Sequence, residues 1–93
     1  MKLYLISYDI SEDRIRTRAA NLLKDFGDRV QKSVFECRLS ARDLNTLENA
    51  LTALMDPKTD SILIYPLCEA CVKLRRSAGF TIIREEGKDY TIL

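Results

Sequence analysis

Asp9 is the residue of this sequence best placed to do chemistry. It follows a run from Leu3 to Tyr8 that is apolar or small throughout, which is typical of a central strand buried on both faces. Aspartate is disfavoured in strands, and a charge beside apolar surroundings costs several kcal/mol unless something compensates it. We therefore expect Asp9 either to bind a partner, such as a metal ion, or to form a local turn at the strand end.

The absence of histidine narrows the chemistry that Asp9 can support. The sequence contains no histidine, which is the usual general base near neutral pH. Hydrolysis would therefore depend on a carboxylate-bound metal ion that activates water. One carboxylate holds Mg²⁺ poorly, because the ion requires octahedral oxygen coordination and keeps several waters. Two copies of Asp9 that meet across a two-fold axis would share one Mg²⁺, so the predicted site exists only in a homodimer.

Basic side chains are concentrated in one third of the chain. Residues 14–42 carry a net charge of +5 and residues 43–71 a net charge of −4, within an overall charge of +1. This segregation indicates two surfaces with different partners, and clustered arginines favour salt-sensitive binding of nucleic acid through phosphate. Arg16 and Arg18 lie on different faces of the predicted first helix, and Arg29 opens the next strand. For each arginine alone, a solvated face with local ion pairs is the alternative.

Aromatic and sulphur-containing residues leave two interpretations open. Tyr8 and Phe35 are typical of a core, and stacking on a nucleic-acid base is the functional alternative. Cys68 and Cys71 form a CxxC motif in a chain with three cysteines, an odd number that argues against a disulfide framework. We interpret the pair as small apolar residues at a strand end and in the following turn, with a redox or metal role as the alternative.

Hydrophobic spacing and turn residues define the elements that hold these residues. Ser11 precedes an acidic first turn and is predicted to cap the first helix, which Gly27 ends, while Ser40 and Asp43 resemble a capping box for the second. The first half is predicted to form a strand ending at Asp9, a helix after Ser11, one long strand at 29–39 and a helix from Ser40 to the pair Asp56-Pro57. A strand at 61–67 and a short helix at about 69–78, ended by Gly79, are predicted to follow. The C-terminal part is predicted to form a strand from Phe80 to Arg84, a turn at Gly87 and a strand at Tyr90–Leu93.

The order of these elements indicates an α+β fold, a ferredoxin-like βαββαβ sandwich with an extra C-terminal strand, formed by residues 1–93 as a single domain. Two helices cover only one face of such a sheet, yet residues 62–65 are apolar on both faces. We therefore expect a homodimer packed sheet to sheet. The terminal strand Tyr90–Leu93 is a candidate for pairing with a partner chain.

No apolar run approaches the ~20 residues of a membrane span, and no signal peptide precedes the first strand, so we expect a cytoplasmic protein without a membrane partner.

Three stretches resemble a known family. SYDIS lies at the first strand end, FGDRVQKSVFEC covers the second predicted strand, and DSILIYPLC covers the third. Their order and spacing, over nearly the whole chain, resemble the small CRISPR-associated family that is the second of the two proteins shared by spacer-acquisition machineries. The resemblance implies a ferredoxin-like homodimer with Mg²⁺-dependent endoribonuclease activity on single-stranded RNA, in some members nuclease activity on double-stranded DNA, at the centre of a complex with the CRISPR integrase.

The same resemblance implies roles for individual residues. Asp9 would be the metal-binding and catalytic acid, sharing Mg²⁺ with its symmetry mate, and Tyr8 would lie beside it in the catalytic site. The residues implied in nucleic-acid binding are Arg16, Arg18, Arg29, Ser33 and Phe35.

Two candidate functions are therefore consistent with these residues and with the resemblance. One is a metal-dependent endonuclease that takes part in integrating new spacers into the CRISPR array, and the other is a non-catalytic dimeric scaffold that binds duplex DNA and bridges the integrase. A small-molecule regulatory domain fits the fold alone, but it explains neither Asp9 nor the arginines.

Overall fold

The structure, a computed structural model, describes residues 1–76 and 78 together with the backbone of residues 81–85 and 88–92. The elements follow the order β1 (Lys2–Asp9), α1 (Asp13–Lys24), β2 (Asp28–Gln31), β3 (Val34–Leu39), α2 (Ala41–Leu54), β4 (Ser61–Leu67), α3 (Glu69–Leu74), β5 (Thr81–Glu85) and β6 (Lys88–Ile92).

The first four strands form one antiparallel sheet in the order β2-β3-β1-β4. Strand β1 is central, and its residue Ile6 lies opposite Phe35 on one side and Ile64 on the other. With α1 and α2 as the connections that precede β2 and β4, this is the βαββαβ order of a ferredoxin-like α+β domain. The predicted fold class is confirmed.

The prediction of one long strand at 29–39 is wrong, because these residues form two strands. The chain reverses at Lys32 and Ser33, so β2 and β3 form an antiparallel hairpin whose register shifts between Arg29 and Gln31. The polar sequence at this point, QKS, supplies a turn within an otherwise strand-like stretch. This turn provides the fourth strand that the ferredoxin-like order requires.

Of the two predicted helix N-caps, Ser11 and Ser40, only Ser40 caps its helix. Ser11 does not cap α1: the N-cap residue is Glu12, which makes no side-chain capping bond. The backbone N–H of Ser11 instead donates to Asp60 Oδ1 at 3.0 Å. The cap of α2 is confirmed, because the Ser40 hydroxyl accepts a hydrogen bond from the backbone N–H of Asp43 at 3.1 Å.

Gly27 is not the C-cap of α1 as predicted, because the C-cap is Asp25, two residues earlier, and the need for glycine at position 27 comes from packing. The Gly27 backbone N–H donates to the Leu23 carbonyl oxygen at 3.0 Å. A methyl group on Gly27 would overlap the Glu36 carbonyl oxygen and the Cys37 sulphur. The residue therefore lets the α1–β2 connection lie directly against β3.

The main core lies between α1, α2 and one face of the sheet. Side chains alternate along β1, so Tyr4, Ile6 and Tyr8 face the two helices. The large side chains of this core that are less than 2% exposed are Ile6, Ile10, Leu23, Phe35, Leu47 and Leu51. The end of β1 is therefore held by packing on the helix side.

The opposite face of the sheet is covered in part by the segment around α3. Val72 in this helix is buried, and Arg75 just after it forms a 3.6 Å ion pair with Glu36, both side chains being largely buried. Helix α3 ends at Leu74 and not near residue 78, because Arg75 adopts an extended conformation. Covering of this face by a partner subunit stays a prediction.

The C-terminal strand pairs within its own chain. Strand β6 lies antiparallel to β5 in a separate two-stranded sheet, and β5 lies near β2. Pairing of this strand with a partner chain stays a prediction. The predicted helix stop at Gly79, the strand start at Phe80, the turn at Gly87 and the terminal Leu93 lie outside the described residues. No helix in the described part of the chain is long and apolar enough to cross a membrane.

Candidate functional site at the end of strand β1

Asp9 is the last residue of β1 and is exposed to solvent. It lies opposite Ser61 at the start of β4, on the sheet face that points away from α1 and α2. The expectation that its charge is held in apolar surroundings is wrong, because the strand ends at the rim of the sheet, where water solvates the carboxylate. A compensating partner within the chain is not required, and the carboxylate is accessible to a ligand or a second chain.

Tyr8 lies on the other face of the sheet, within the core. Its side chain is buried, with 5% exposure, and its ring stacks against Phe35 with 6.4 Å between centroids and 29° between ring planes. The Tyr8 hydroxyl donates to the Lys32 carbonyl oxygen at 3.4 Å. Phe35 has no exposed surface. Both rings therefore pack in the core, the first of the two interpretations above.

Arg29 holds the turn between β2 and β3. Its Nη2 and Nε atoms donate to the Lys32 carbonyl oxygen at 2.7 Å and 3.1 Å. Its guanidinium carbon lies 5.6 Å from the centroid of the Phe35 ring, and Nη2 also reaches the Tyr8 hydroxyl oxygen at 3.5 Å. Two donors on one carbonyl, over an aromatic face, use the planar fork of arginine. Arg29 is thus a structural part of the cleft described below.

Arg16 holds the loop between β1 and α1. Its Nη1 atom donates to the carbonyl oxygens of Ile10 at 2.8 Å and Ser11 at 3.0 Å, and Nη2 pairs with the carboxylate of Asp13. The loop that follows Asp9 is therefore fixed from within α1. Arg16 was predicted to bind nucleic acid, and these contacts give it a positioning role at the same end of the sheet.

Asp60, which was not among the predicted site residues, also fixes that loop. Its two carboxylate oxygens accept from the backbone N–H groups of Ser11 and Asp56, each at 3.0 Å. The Asp56 bond, followed by the Ser11 bond, lowers the pKa of Asp60 from its ordinary value of 3.8. An aspartate directly before an apolar strand and after Pro57-Lys58-Thr59 is the signal that could have identified this turn.

A basic cleft opens between α1 and the β2–β3 turn. Its volume is about 270 Å³. It is lined by four basic side chains and one acidic one, so it favours an anionic ligand. The lining residues are Tyr8, Asp13, Arg16, Thr17, Ala20, Asn21, Lys24, Arg29, Lys32 and Ser33.

The structure brings together only part of the predicted site. Tyr8, Arg16, Arg29 and Ser33 line the cleft. The Ser33 carbonyl oxygen accepts from the Tyr8 backbone N–H at 3.1 Å. Phe35 lies beneath Arg29. The two other residues are separate: Arg18 is exposed elsewhere on α1, and Asp9 lies on the opposite sheet face. Lys24 and Lys32 also line the cleft, although neither was among the predicted site residues.

The donor atoms of one chain suit Mg²⁺ in kind but not in number. Within the described residues, no group of three or more histidine, cysteine, aspartate or glutamate side chains is arranged to hold a metal ion. The Asp9 carboxylate is a hard oxygen ligand, which is the type that Mg²⁺ prefers. Because it is exposed at the end of a strand, a second copy could supply the next carboxylate. One chain therefore offers the right kind of ligand at Asp9, and the remaining ligands would have to come from water or a second chain.

The fold and this end of the sheet define a class: a small ferredoxin-like α+β domain with a basic cleft and an accessible carboxylate at the end of its central strand. Comparison with known proteins narrows the class. The model of the family described as CRISPR associated protein Cas2 matches residues 1–75. The chain belongs to the Cas2 family.

Individual relatives agree with this assignment. The chain is 48% identical over 93 residues to CRISPR-associated endoribonuclease Cas2 3 of Chloroflexus aurantiacus, covering 99% of this chain and 100% of that one. Its structure is similar to Streptococcus pyogenes Cas2 at pH 6.5, with a TM-score of 0.77, 32% identity and coverage of 83% and 99% of the two chains. It is also similar to a chain of a partial Cas6-RT-Cas1–Cas2 complex, with a TM-score of 0.71, 30% identity and coverage of 83% and 90%.

Proposed function

We propose that this Cas2 family member is a metal-dependent endonuclease of CRISPR adaptation that cuts single-stranded RNA, and duplex DNA as a second substrate, as a homodimer. The observation that carries the proposal is the position of Asp9, a solvent-exposed carboxylate at the end of the central strand. The relatives named as endoribonucleases, such as the Chloroflexus aurantiacus protein, support the reaction class.

A dimer through the open sheet face would bring two Asp9 residues together. Leu63 and Tyr65 of β4 are 54% and 51% exposed. In the register of β1 and β4, Leu63 lies opposite Ser7 and Tyr65 opposite Leu5, so both share the face of Asp9. Exposed apolar side chains on a sheet are typical of a subunit interface. A two-fold axis over this patch would place the carboxylates of both chains at the same rim.

Mg²⁺ is the ion that we propose for this dimeric site, with Asp9 of each chain as its protein ligand. When bound, the ion would supply an activated water and neutralise negative charge on the phosphodiester. The chain itself holds the site in place: Arg16 and Asp60 fix the loop that leaves Asp9 from opposite sides. These contacts hold the backbone directly after Asp9 and so support the carboxylate at the strand end.

The basic cleft is the proposed contact for nucleic acid. Arg16 and Arg29 donate to backbone carbonyl groups, so we assign direct phosphate contact first to the exposed Lys24 and Lys32 in the cleft, and to Arg18 outside it. Such contacts are independent of sequence and weaken with added salt. Tyr8 and Ser33 complete the wall of the cleft, and Phe35 supports Arg29 from below.

We further propose that the dimer binds a CRISPR integrase of the Cas1 class. The support is the similarity to a chain in a complex that contains Cas1.

A non-catalytic scaffold is the second candidate, and one observation favours it. The described part of the chain contains no cluster of three metal-binding side chains. A scaffold would bind duplex DNA through the basic side chains and bridge the integrase without cutting.

Spacer acquisition in cells separates the two candidates. Cells carrying the Asp9→Asn variant would be compared with wild type and with cells carrying Lys24→Glu together with Lys32→Glu. If cleavage serves adaptation, Asp9→Asn and the double variant both stop acquisition. If the dimer is a scaffold only, Asp9→Asn acquires spacers at the wild-type rate and the double variant does not.

A further inference from the structure

Cys68 and Cys71 form a preorganised thiol pair that the proposed function does not use. Their Sγ atoms lie 3.2 Å apart at the junction of β4 and α3. Both side chains are exposed, so small reagents can reach them. The backbone N–H of Cys71 donates to Cys68 Sγ at 3.4 Å, which fixes the rotamer of Cys68 toward its partner. The geometry is that of two thiols held for reaction with each other.

The two sulphur atoms are not equivalent. Hydrogen bonds from the Cys71 backbone and then from its thiol lower the pKa of Cys68, while the neighbouring Cys68 raises the pKa of Cys71. Because the thiolate is the nucleophile, Cys68 is the attacking residue and Cys71 the resolving residue. The third cysteine, Cys37, has no exposed surface, and burial, followed by the charges of Asp28 and Glu36, raises its pKa to about 12.

We propose that Cys68 and Cys71 form a reversible intramolecular disulfide by exchange with a low-molecular-weight disulfide of the glutathione type. Cys68 thiolate attacks one sulphur of the reagent, the reagent's S–S bond breaks, and one thiolate leaves and takes up a proton. Cys71 then loses its proton to solvent and attacks Cys68 Sγ, which breaks the mixed disulfide and releases the second thiol. The protein loses two hydrogen atoms, and the reagent is reduced to two thiols.

The surroundings of Cys68 allow such a reagent to approach. A cleft of about 450 Å³ adjoins the thiol at the end of the sheet. Its apolar lining includes Pro66 and Leu67, and its charged lining consists of Lys2 and of Glu69, which pairs with Arg38 at 3.4 Å. The complete lining is Met1, Lys2, Pro66, Leu67, Cys68 and Glu69.

Oxidation would close the first turn of α3 while the rest of the fold stays as it is. The sulphur atoms must approach from 3.2 Å to about 2.05 Å, which exposed side chains can do by small χ rotations. The far end of the helix is already anchored by buried Val72 and by the ion pair between Arg75 and Glu36. A covalent link at the near end leaves α3 fixed at both ends, so its local opening becomes rarer.

The test is a redox titration of the full chain in mixtures of oxidised and reduced glutathione, with EDTA present to remove metal ions. Samples are quenched with acid and alkylated, and the mass of the intact protein and of its peptides is measured. We expect the 68–71 disulfide to form and to revert in reduced glutathione, while Cys37 is alkylated only after unfolding. Hydrogen exchange of the backbone amides in α3 should be roughly tenfold slower in the oxidised form.

Variants that lack one of the two thiols test which cysteine attacks the reagent. Cys71→Ser should accumulate one glutathione on Cys68, and Cys68→Ser should react more slowly at neutral pH. Circular dichroism and the unchanged burial of Cys37 report that each variant is folded. Two separate glutathione adducts on the wild-type chain, or thiols that stay reduced while a solvent-exposed control dithiol oxidises, would overturn the proposal. Equal rates for both single variants would overturn the assignment of Cys68 as the attacking thiol.

Discussion

Tyr8 and Asp9 are adjacent in sequence but face opposite sides of the central sheet. Tyr8 is buried beside Phe35 under the helices, whereas Asp9 is exposed on the face that carries Leu63 and Tyr65. The two side chains that the family resemblance implies for one catalytic site therefore lie on different sides of the strand end. Asp9 is accessible on the sheet face where we propose a second chain, and Tyr8 belongs to the wall of the basic cleft.

Replacing Arg29 should destabilise the fold, whereas replacing the exposed Arg18 should not. Arg29→Ala removes two hydrogen bonds to Lys32 and the contact with Phe35, so we expect a loss of about 1–2 kcal/mol in unfolding free energy. Arg18→Ala, which removes the same charge from an exposed site, should change it by less than about 0.5 kcal/mol. Urea denaturation measures both variants. Equal stability losses would contradict the structural role of Arg29.

The same Arg18→Ala variant should weaken RNA binding. If Arg18 contacts a phosphate, the dependence of log affinity on log salt concentration should decrease by about 1. Fluorescence anisotropy of a labelled single-stranded RNA at several salt concentrations measures the slope. An unchanged slope would remove Arg18 from the nucleic-acid surface.

Gly27→Ala should destabilise the domain. The added methyl group would overlap the backbone of Glu36 and the sulphur of Cys37, so α1 or β3 must shift, at a cost of about 1–3 kcal/mol. Asp25→Ala, an exposed neighbour at the end of α1, is the matched control and should cost less than about 0.5 kcal/mol. Chemical denaturation is the measurement, and a Gly27→Ala variant as stable as wild type would show that the close approach is absent in solution.

Asp60 should contribute stability that disappears in acid. Its pKa is lower in the folded chain than the ordinary value of 3.8, chiefly through the Asp56 backbone N–H. Its contribution is therefore fully present above that value and is lost as the pH falls through the folded-state pKa. Asp60→Ala should lower the melting temperature at neutral pH and flatten its fall below about pH 4. Glu48→Ala, an exposed carboxylate on α2, should leave the acid-dependent fall unchanged. An Asp60→Ala curve parallel to wild type would contradict this linkage.

Leu63 and Tyr65 should control dimer formation. Replacing both with glutamate puts two charges into the proposed apolar interface and should raise the dimer dissociation constant by roughly 100-fold or more. Asn45→Glu on α2 adds charge on the helical layer and should leave the dimer intact. Analytical ultracentrifugation gives the oligomeric state, and circular dichroism confirms that the monomer is folded. A double variant that remains dimeric would place the interface elsewhere.

The sequence predicted the fold class because hydrophobic spacing is strong along β1, α1, α2 and β4. It missed the turn at Lys32 and Ser33 because the residues on both sides are strand formers, and only tertiary pairing divides them into a hairpin. The Ser11 cap failed for a similar reason: Asp60 is 49 residues away in the chain and binds the Ser11 backbone N–H. Long-range contacts of this kind leave no local signal.

The candidate site was predictable in composition but not in arrangement. The basic residues of the first half could be counted from the sequence, and several line one cleft. That Arg16 and Arg29 bind backbone carbonyl groups could not be seen, because it depends on where the loop and the hairpin turn come to lie. The exposure of Asp9 likewise depends on the position where β1 leaves the sheet.

The most direct test of the account compares wild type, Asp9→Asn and Glu48→Gln for cleavage of labelled single-stranded RNA and duplex DNA, with Mg²⁺ and with EDTA. Light scattering verifies the dimer in every sample. We expect Mg²⁺-dependent cutting by wild type and Glu48→Gln, and loss of at least about 100-fold in Asp9→Asn without loss of the dimer. Cutting by Asp9→Asn at the wild-type rate, or cutting that persists in EDTA, would contradict the proposed metal site.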